Sequence, residues 1–247
     1  MDRKIRVAAV SYLNTKPLTY GFEKGKMADL MDLSFEYPAK VAAMLLNDEV
    51  DIGLIPVAVI PKLGEHHIIS DYGIGAIAEV ASVCLFSNVP ISEIKSVYLD
   101  YQSRTSVALL KILLKDHWKI SPELIAADTG YEEKINGDVA GLVIGDRAFA
   151  QRKKSKYIYD LAVAWKQMTG LPFLFAAWVS NKKLPADFIA AFNNTTSLGL
   201  DHIDEIVAQH KYEDYDLHQY YTENIHYELD DKKREALTLF LRLLSSY

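Results

Sequence analysis

The sequence predicts an α/β protein of two lobes, the first of them interrupted, with a ligand cleft between them. Three observations carry that expectation. Apolar runs that suit strands alternate with amphipathic stretches over residues 5–59, the pattern of a parallel sheet covered by helices. The alternation restarts with new members over residues 81–144. A last, wholly apolar run from Phe173 to Val179 then precedes a charged tail.

In order, Ile5–Val10 reads as a buried strand and Ser11–Lys16 as the loop after it. Pro17 suits the first turn of a helix running toward Phe22, where a missing N–H is no loss. Leu33–Tyr37 is a second short strand, and Pro38–Asn47 a helix with Val41, Met44 and Leu45 on one face, at helical spacing. Asp51–Val59 is a third strand that enters a Pro-marked loop. Ala81–Ser87 and Val97–Leu99 are strand candidates, and Thr105–Trp118 is a strong helix. Val139–Ile144 is a buried strand ended by Gly145-Asp146, and the chain from Pro185 onward reads as helical. This order assigns residues 1–87 and 175–247 to the first lobe and 88–174 to the second. The hinge crossings then fall near Phe86 and Phe173.

The 247 residues suffice for a sizeable core, and 24% charged residues with half hydrophobic is globular composition, not the composition of a disordered chain. A net charge of -6 argues against broad binding to nucleic acid, which needs a surplus of Lys and Arg. An anionic ligand must therefore be met by local donors. Cys84, the lone cysteine, can form neither an intrachain disulfide nor a Cys-based zinc site and suits the core. Met1–Val10 is basic and then briefly apolar, too short for a signal-peptide core. No run approaches a membrane span, so no membrane partner is expected, and the expected location is the cytoplasm.

The most informative segment is Ser11-Tyr12-Leu13-Asn14-Thr15-Lys16-Pro17-Leu18. It sets polar and aromatic side chains between a buried strand and a helix start, where free N–H groups can hold a carboxylate. Asn14 can donate and accept, and Lys16 adds a cation; alternatively the segment is a capping loop with Thr15 as N-cap. Ser103-Arg104-Thr105-Ser106 opens the strong middle helix; it is a candidate second carboxylate clamp, since capping needs only one of its hydroxyls, or alternatively an ordinary cap with a solvated Arg. Ser82 begins a crossing strand and either faces the cleft or bonds to backbone. Gly145 permits a tight turn, and Asp146 could bind a hydroxyl, act as a base or merely cap a helix. Gly73–Ala78 partly matches a dinucleotide fingerprint but lacks the strand–turn–helix context. His66-His67 has no third ligand at metal spacing, so no metal is expected. Ser180–Lys183 suits a surface turn, and Tyr220-Tyr221 and Tyr227 in the charged tail suggest at most a lid or an interface.

The opening segment resembles that of the MqnA family, the chorismate dehydratases of the futalosine route to menaquinone. The likeness continues through Asp51-Ile52-Gly53-Leu54-Ile55-Pro56, Ala81-Ser82-Val83, Ser103–Ser106, Ile144-Gly145-Asp146 and Thr169-Gly170-Leu171-Pro172-Phe173. The resemblance implies the fold of type 2 periplasmic binding proteins and dehydration of chorismate, a small dicarboxylate, without metal or organic cofactor. It implies Asn14 and Ser82 as catalytic residues, and Ser103, Arg104 and Thr105 as carboxylate binders. Ser11, Tyr12, Thr15, Lys16, Ser106, Gly145 and Asp146 complete the expected substrate site. The sister family that makes dihydroxynaphthoate is similar in fold but opens with a different loop. A solute-binding protein and a ligand-sensing domain share the same cleft.

Overall fold

The structure, a computed structural model, describes residues 3–246. Met1 and Asp2, the start of the basic N-terminal segment, and Tyr247 lie outside the described residues. The strands are β1 (Ile5–Val10), β2 (Met31–Glu36), β3 (Ile52–Pro56), β4 (His67–Ala76), β5 (Val83–Ser87), β6 (Ser96–Leu99), β7 (Glu123–Ala126), β8 (Val139–Ile144), β9 (Tyr157–Asp160), β10 (Phe173–Ser180) and β11 (His226–Glu228). The helices are α1 (Lys16–Glu23), α2 (Pro38–Leu46), α3 (Thr105–Ile112), α4 (Asp146–Arg152), α5 (Leu161–Thr169), α6 (Ala186–Ser197), α7 (Ile203–Gln209), α8 (Leu217–Gln219) and α9 (Asp231–Leu244).

Two sheets divide these strands. The first runs β11-β4-β10-β3-β1-β2 and the second β7-β6-β8-β5-β9. In the first, β1 lies parallel to β2 and β3, while β10 is antiparallel to both β3 and β4. In the second, β6 lies parallel to β7 and β8, and β5 is antiparallel to β8 and β9. Strands β3 and β10 are buried along their whole length, which explains why they read as unbroken apolar runs. Pro17 and Pro38 stand in the first turns of α1 and α2.

Several elements differ from the sequence expectation. Strand β5 pairs with β8 and β9 in the second sheet, although the order of apolar runs assigns its residues to the first lobe. The first sheet's last strand before the crossing is β4, whose Ser70, Asp71, Gly73 and Gly75 break any apolar alternation. The Gly73-Ile74-Gly75 run is thus strand, and the glycines are there for close approach. A Cβ at Gly73 would stand 2.7 Å from the Ala176 carbonyl oxygen, and one at Gly75 2.8 Å from that of Phe173. The tail, expected to be helical, contributes β11 to the edge of the first sheet. Two passages join the sheets, at residues 77–82 and 170–172. Cys84 is fully buried, and Ser180 donates its hydroxyl to the Asp51 carbonyl at 2.9 Å.

Candidate active site

Both sheets turn the carboxyl ends of their parallel strands toward each other, where ligands of open α/β sheets sit. From the first sheet, Ser11–Thr15 leaves β1 and enters α1. From the second, Asp100–Arg104 leaves β6 and enters α3, and Gly145-Asp146 leaves β8 and enters α4. Between them lies a cavity of about 50 Å³ lined by Tyr12 and Asn14 on one side and by Ser103, Thr105, Ser106 and Gly145 on the other. Val10, Ile74, Val83, Ile144 and Phe175 give it apolar walls. Among the described residues no Lys, Arg, Asp or Glu lines it. An anion there meets hydroxyls, an amide and helix-start N–H groups, which act strongly where water is scarce.

The two sides also bond directly to each other. The Tyr12 hydroxyl donates to the side-chain carbonyl of Gln102, and the Tyr12 ring fills the space beside Gly145. A Cβ at Gly145 would stand 2.9 Å from that ring, and the residue has φ +64°, so glycine is required twice over. The Leu13 N–H donates to Asp146 Oδ1 at 3.2 Å, and the Ala58 N–H to Thr105 Oγ1 at 3.2 Å. Gln102 is itself held by Arg147, whose guanidinium is 3.2 Å from Oε1 of Gln102 and 2.6 Å from Oδ2 of the buried Asp100.

A hydrogen-bonded chain runs beneath the cavity. Ser82 is fully buried, and its Oγ accepts from the Tyr220 hydroxyl at 2.7 Å. The Asn14 side chain lies near that same hydroxyl and favours its ionised form, against the larger effect of burial. Thr15 Oγ1 donates to Asn14 Oδ1 at 3.4 Å, which leaves the Asn14 NH₂ as a donor. Burial pushes the Tyr220 phenol well above its ordinary range, so it keeps its proton. Ser82 Oγ, an acceptor from Tyr220, is itself 3.5 Å from the Val80 carbonyl, to which it donates.

Asp146 stands beside this chain. Burial pushes its carboxyl up to about 6, against the Leu13 N–H, Arg147 and Lys16, which favour the charged form. Tyr212 donates its hydroxyl to the Asp146 carbonyl at 2.8 Å, and Tyr220 and Tyr221 both lie within the field of the carboxylate. The Tyr221 hydroxyl is buried with no hydrogen-bond partner among the described residues.

Of the residues singled out in the sequence, the structure thus brings Tyr12, Asn14, Ser103, Thr105, Ser106 and Gly145 to one cavity, with Thr15, Ser82 and Asp146 against it. Three stand apart. Ser11 is exposed, and its N–H extends the β1–β2 pairing by donating to the Glu36 carbonyl at 3.0 Å. Lys16 shares a face of α1 with Tyr20 and Glu23, at i, i+4 and i+7. Its Nζ is 3.8 Å from Glu23 and 5.5 Å above the Phe35 ring. Arg104 is exposed and outside the lining, because each helical residue is rotated about 100° from the last. Ser103 spends its oxygen on capping, accepting the Ser106 N–H at 3.0 Å. Thr15 precedes α1 but makes no cap bond. Tyr220, which the sequence suggests is at most part of a lid or an interface, is instead a buried partner of Ser82 beneath the cavity; its one signal in the sequence is a tyrosine doublet in a charged tail.

Over residues 5–246 the chain matches the family model described as menaquinone biosynthesis. The chain belongs to this menaquinone biosynthesis family. Among its curated relatives, a chorismate dehydratase of Thermus thermophilus is 28% identical over 231 residues, 84% of each chain. A chorismate dehydratase of Campylobacter jejuni is 27% identical over 242 residues, 94% of each chain. Among solved structures, a protein of Archaeoglobus fulgidus superposes with a TM-score of 0.77 at 16% identity, covering 98% of this chain and 97% of that one. A Candida albicans protein described as having the generic periplasmic binding protein fold gives 0.64 at 14% identity, covering 99% and 91%. The periplasmic aliphatic sulphonate binding protein of Escherichia coli gives 0.61 at 10% identity, covering 99% and 92%. These likenesses establish the two-lobed periplasmic-binding-protein-like fold of this family member.

Proposed function

We propose that this protein is a chorismate dehydratase, converting chorismate to 3-[(1-carboxyvinyl)oxy]benzoate and water. The observation that carries the proposal is the convergence of two helix-opening loops, Tyr12–Asn14 and Ser103–Ser106, on one cavity that no Lys, Arg, Asp or Glu among the described residues lines. Relatives named chorismate dehydratase at 27% and 28% identity support it. Chorismate has a six-membered carbon ring and two carboxylates. The apolar walls suit the ring, and the donors on either side suit its anionic ends.

In the reaction the ring C3–H bond breaks and its electron pair becomes the C3–C4 double bond. The C4–O bond breaks, and the departing oxygen leaves as water with the C3 proton. No electrons are exchanged with a partner, and aromatisation supplies the driving force, so the reaction calls for no redox cofactor. The enzyme's work is orientation and exclusion of water. Asn14, Ser82, Ser103 and Thr105 do not titrate near neutral pH, so the enolpyruvyl carboxylate of the substrate itself takes the proton. Asn14, which lines the cavity, donates to the oxygens on which charge develops, and the Tyr220–Ser82 pair supports the site from beneath. Asp146 is the fallback base; its Oδ1 is occupied by Leu13 and its side chain lies outside the lining. The futalosine route in the cytoplasm is the setting this chemistry belongs to.

Mixing the purified protein with chorismate and monitoring loss of the diene absorbance, with the product identified by mass, tests the proposal. Conversion is expected. Chorismate held but unchanged would mark a binding protein, and chorismate ignored would favour the dihydroxynaphthoate-forming sister.

A further inference from the structure

Ser82 comes directly after a backbone conformation that an ordinary residue avoids. Its N–H donates to the Val80 carbonyl at 2.7 Å, closing a three-residue turn around Ala81, which has φ +63°. Positive φ at a non-glycine residue in so tight a turn is strained and persists only where the surroundings hold it. Here they do. Asp160 Oδ2 accepts the N–H groups of Val80 at 3.0 Å and Ala81 at 2.8 Å. The other oxygen of the same carboxylate accepts the N–H groups of Ala162 at 2.9 Å and Val163 at 3.1 Å, capping α5. Arg152 donates to the Ala81 carbonyl at 3.1 Å, Asn224 to that of Glu79 at 3.1 Å, and the Gly145 N–H to that of Ser82 at 2.8 Å. The turn lies in the first passage between the sheets, and α5 leads into the second.

We propose that Asp160 is a positioning residue for the reaction: its carboxylate holds the Val80–Ser82 turn in its strained form, so that the Ser82 hydroxyl meets Tyr220. One side chain thereby ties both inter-sheet passages to the placement of a single hydroxyl. The role rests on Ser82 acting in the proposed dehydration. A helix cap alone needs one carboxylate oxygen, and the second would have no reason to grip the turn.

The test uses the whole protein with chorismate as substrate and thermal unfolding as an independent measure of fold. Wild-type turnover is measured first; its absence defeats the dehydratase proposal itself, a failure distinct from any result with the Asp160 variants. Asp160→Asn, which loses one pair of acceptor positions, is expected to lower kcat by about tenfold or more with KM within about twofold, as for a misplaced group. Ala81→Gly, which accepts positive φ without strain, is expected to keep near-normal turnover alone. In the Asp160→Asn background it is expected to recover kcat at least about threefold, which a purely structural cap would not do. An unchanged kcat in Asp160→Asn overturns the positioning role. So does a loss of turnover, or of fold, that Ala81→Gly leaves unrepaired.

Discussion

Tyr220 can be tested without touching the fold, because its ring and its hydroxyl do separate things. The ring packs edge-on against Phe149 at 4.9 Å, and only the hydroxyl reaches Ser82. Tyr220→Phe should cost about 1 kcal/mol of stability. Its kcat should fall by about tenfold to a hundredfold with little change in KM, since a group that places the Ser82 hydroxyl matters mainly in the transition state. Unchanged kcat in a folded Tyr220→Phe protein would remove the chain from the mechanism. Asn14→Ala deletes a lining group outright and should lose about a hundredfold or more; turnover that survives it would end the role given to Asn14. Asp146 makes the opposite prediction. Its carboxyl titrates at about 6 in the folded chain, against about 3.9 when unfolded. Between those values the folded chain keeps a proton that the unfolded chain has lost, so stability falls as pH rises through that window. Asp146→Asn keeps the acceptor for Leu13 and removes the penalty. It should match wild type near pH 4 and exceed it above pH 6, by at most about 3 kcal/mol. Turnover should stay near normal. Denaturation midpoints at the two pH values and one rate measurement decide both points.

At the scale of elements, what the sequence reveals depends on what each element needs from its residues. Strands β1 and β8 are legible to the residue, since strands buried on both faces read as nearly unbroken apolar runs, with Arg6 the single charge in β1. Strand β4 is not, because it needs glycine against the carbonyls of β10, and glycine reads as punctuation. For the same reason Gly73→Ala should cost about 1–3 kcal/mol and lower the melting temperature by several degrees; an unchanged melting curve would mean that β4 and β10 can part at no cost. The site divides in the same way. The Ser11–Leu18 and Ser103–Ser106 loops are legible because each concentrates donors at a helix start. The outward turn of Lys16 and Arg104 is set by helical rotation, which residue type does not reveal. Tyr220 sits in a single π-helical turn over Tyr220–Asn224, a distortion that often marks function. Its partner Ser82 is 138 residues away, and no local pattern connects them.

At the scale of the whole molecule the two lobes are bonded to each other across a narrow cleft. About 50 Å³ is far below the roughly 300 Å³ that small-molecule sites begin at, so a ring with two carboxylates enters only if the lobes part. Two backbone amides are placed to report that motion. The N–H of Leu13 bonds to Asp146 and that of Ala58 to Thr105, each on the opposite sheet. Neither bond survives opening, whereas the ladders of β1 and β8 lie within one lobe and are untouched. In native-state hydrogen exchange the Leu13 and Ala58 amides should therefore exchange together, well ahead of the strand amides, because local opening costs less than global unfolding. A bound product favours the closed state through its contacts with both sides, and should slow these two amides by about tenfold or more at saturation. The strand amides set the control, since binding that merely stabilised the whole fold would slow them as well. Leu13 and Ala58 amides as protected as β1 in the free protein would mean that the cleft does not open, and that the cavity is too small for the substrate assigned to it.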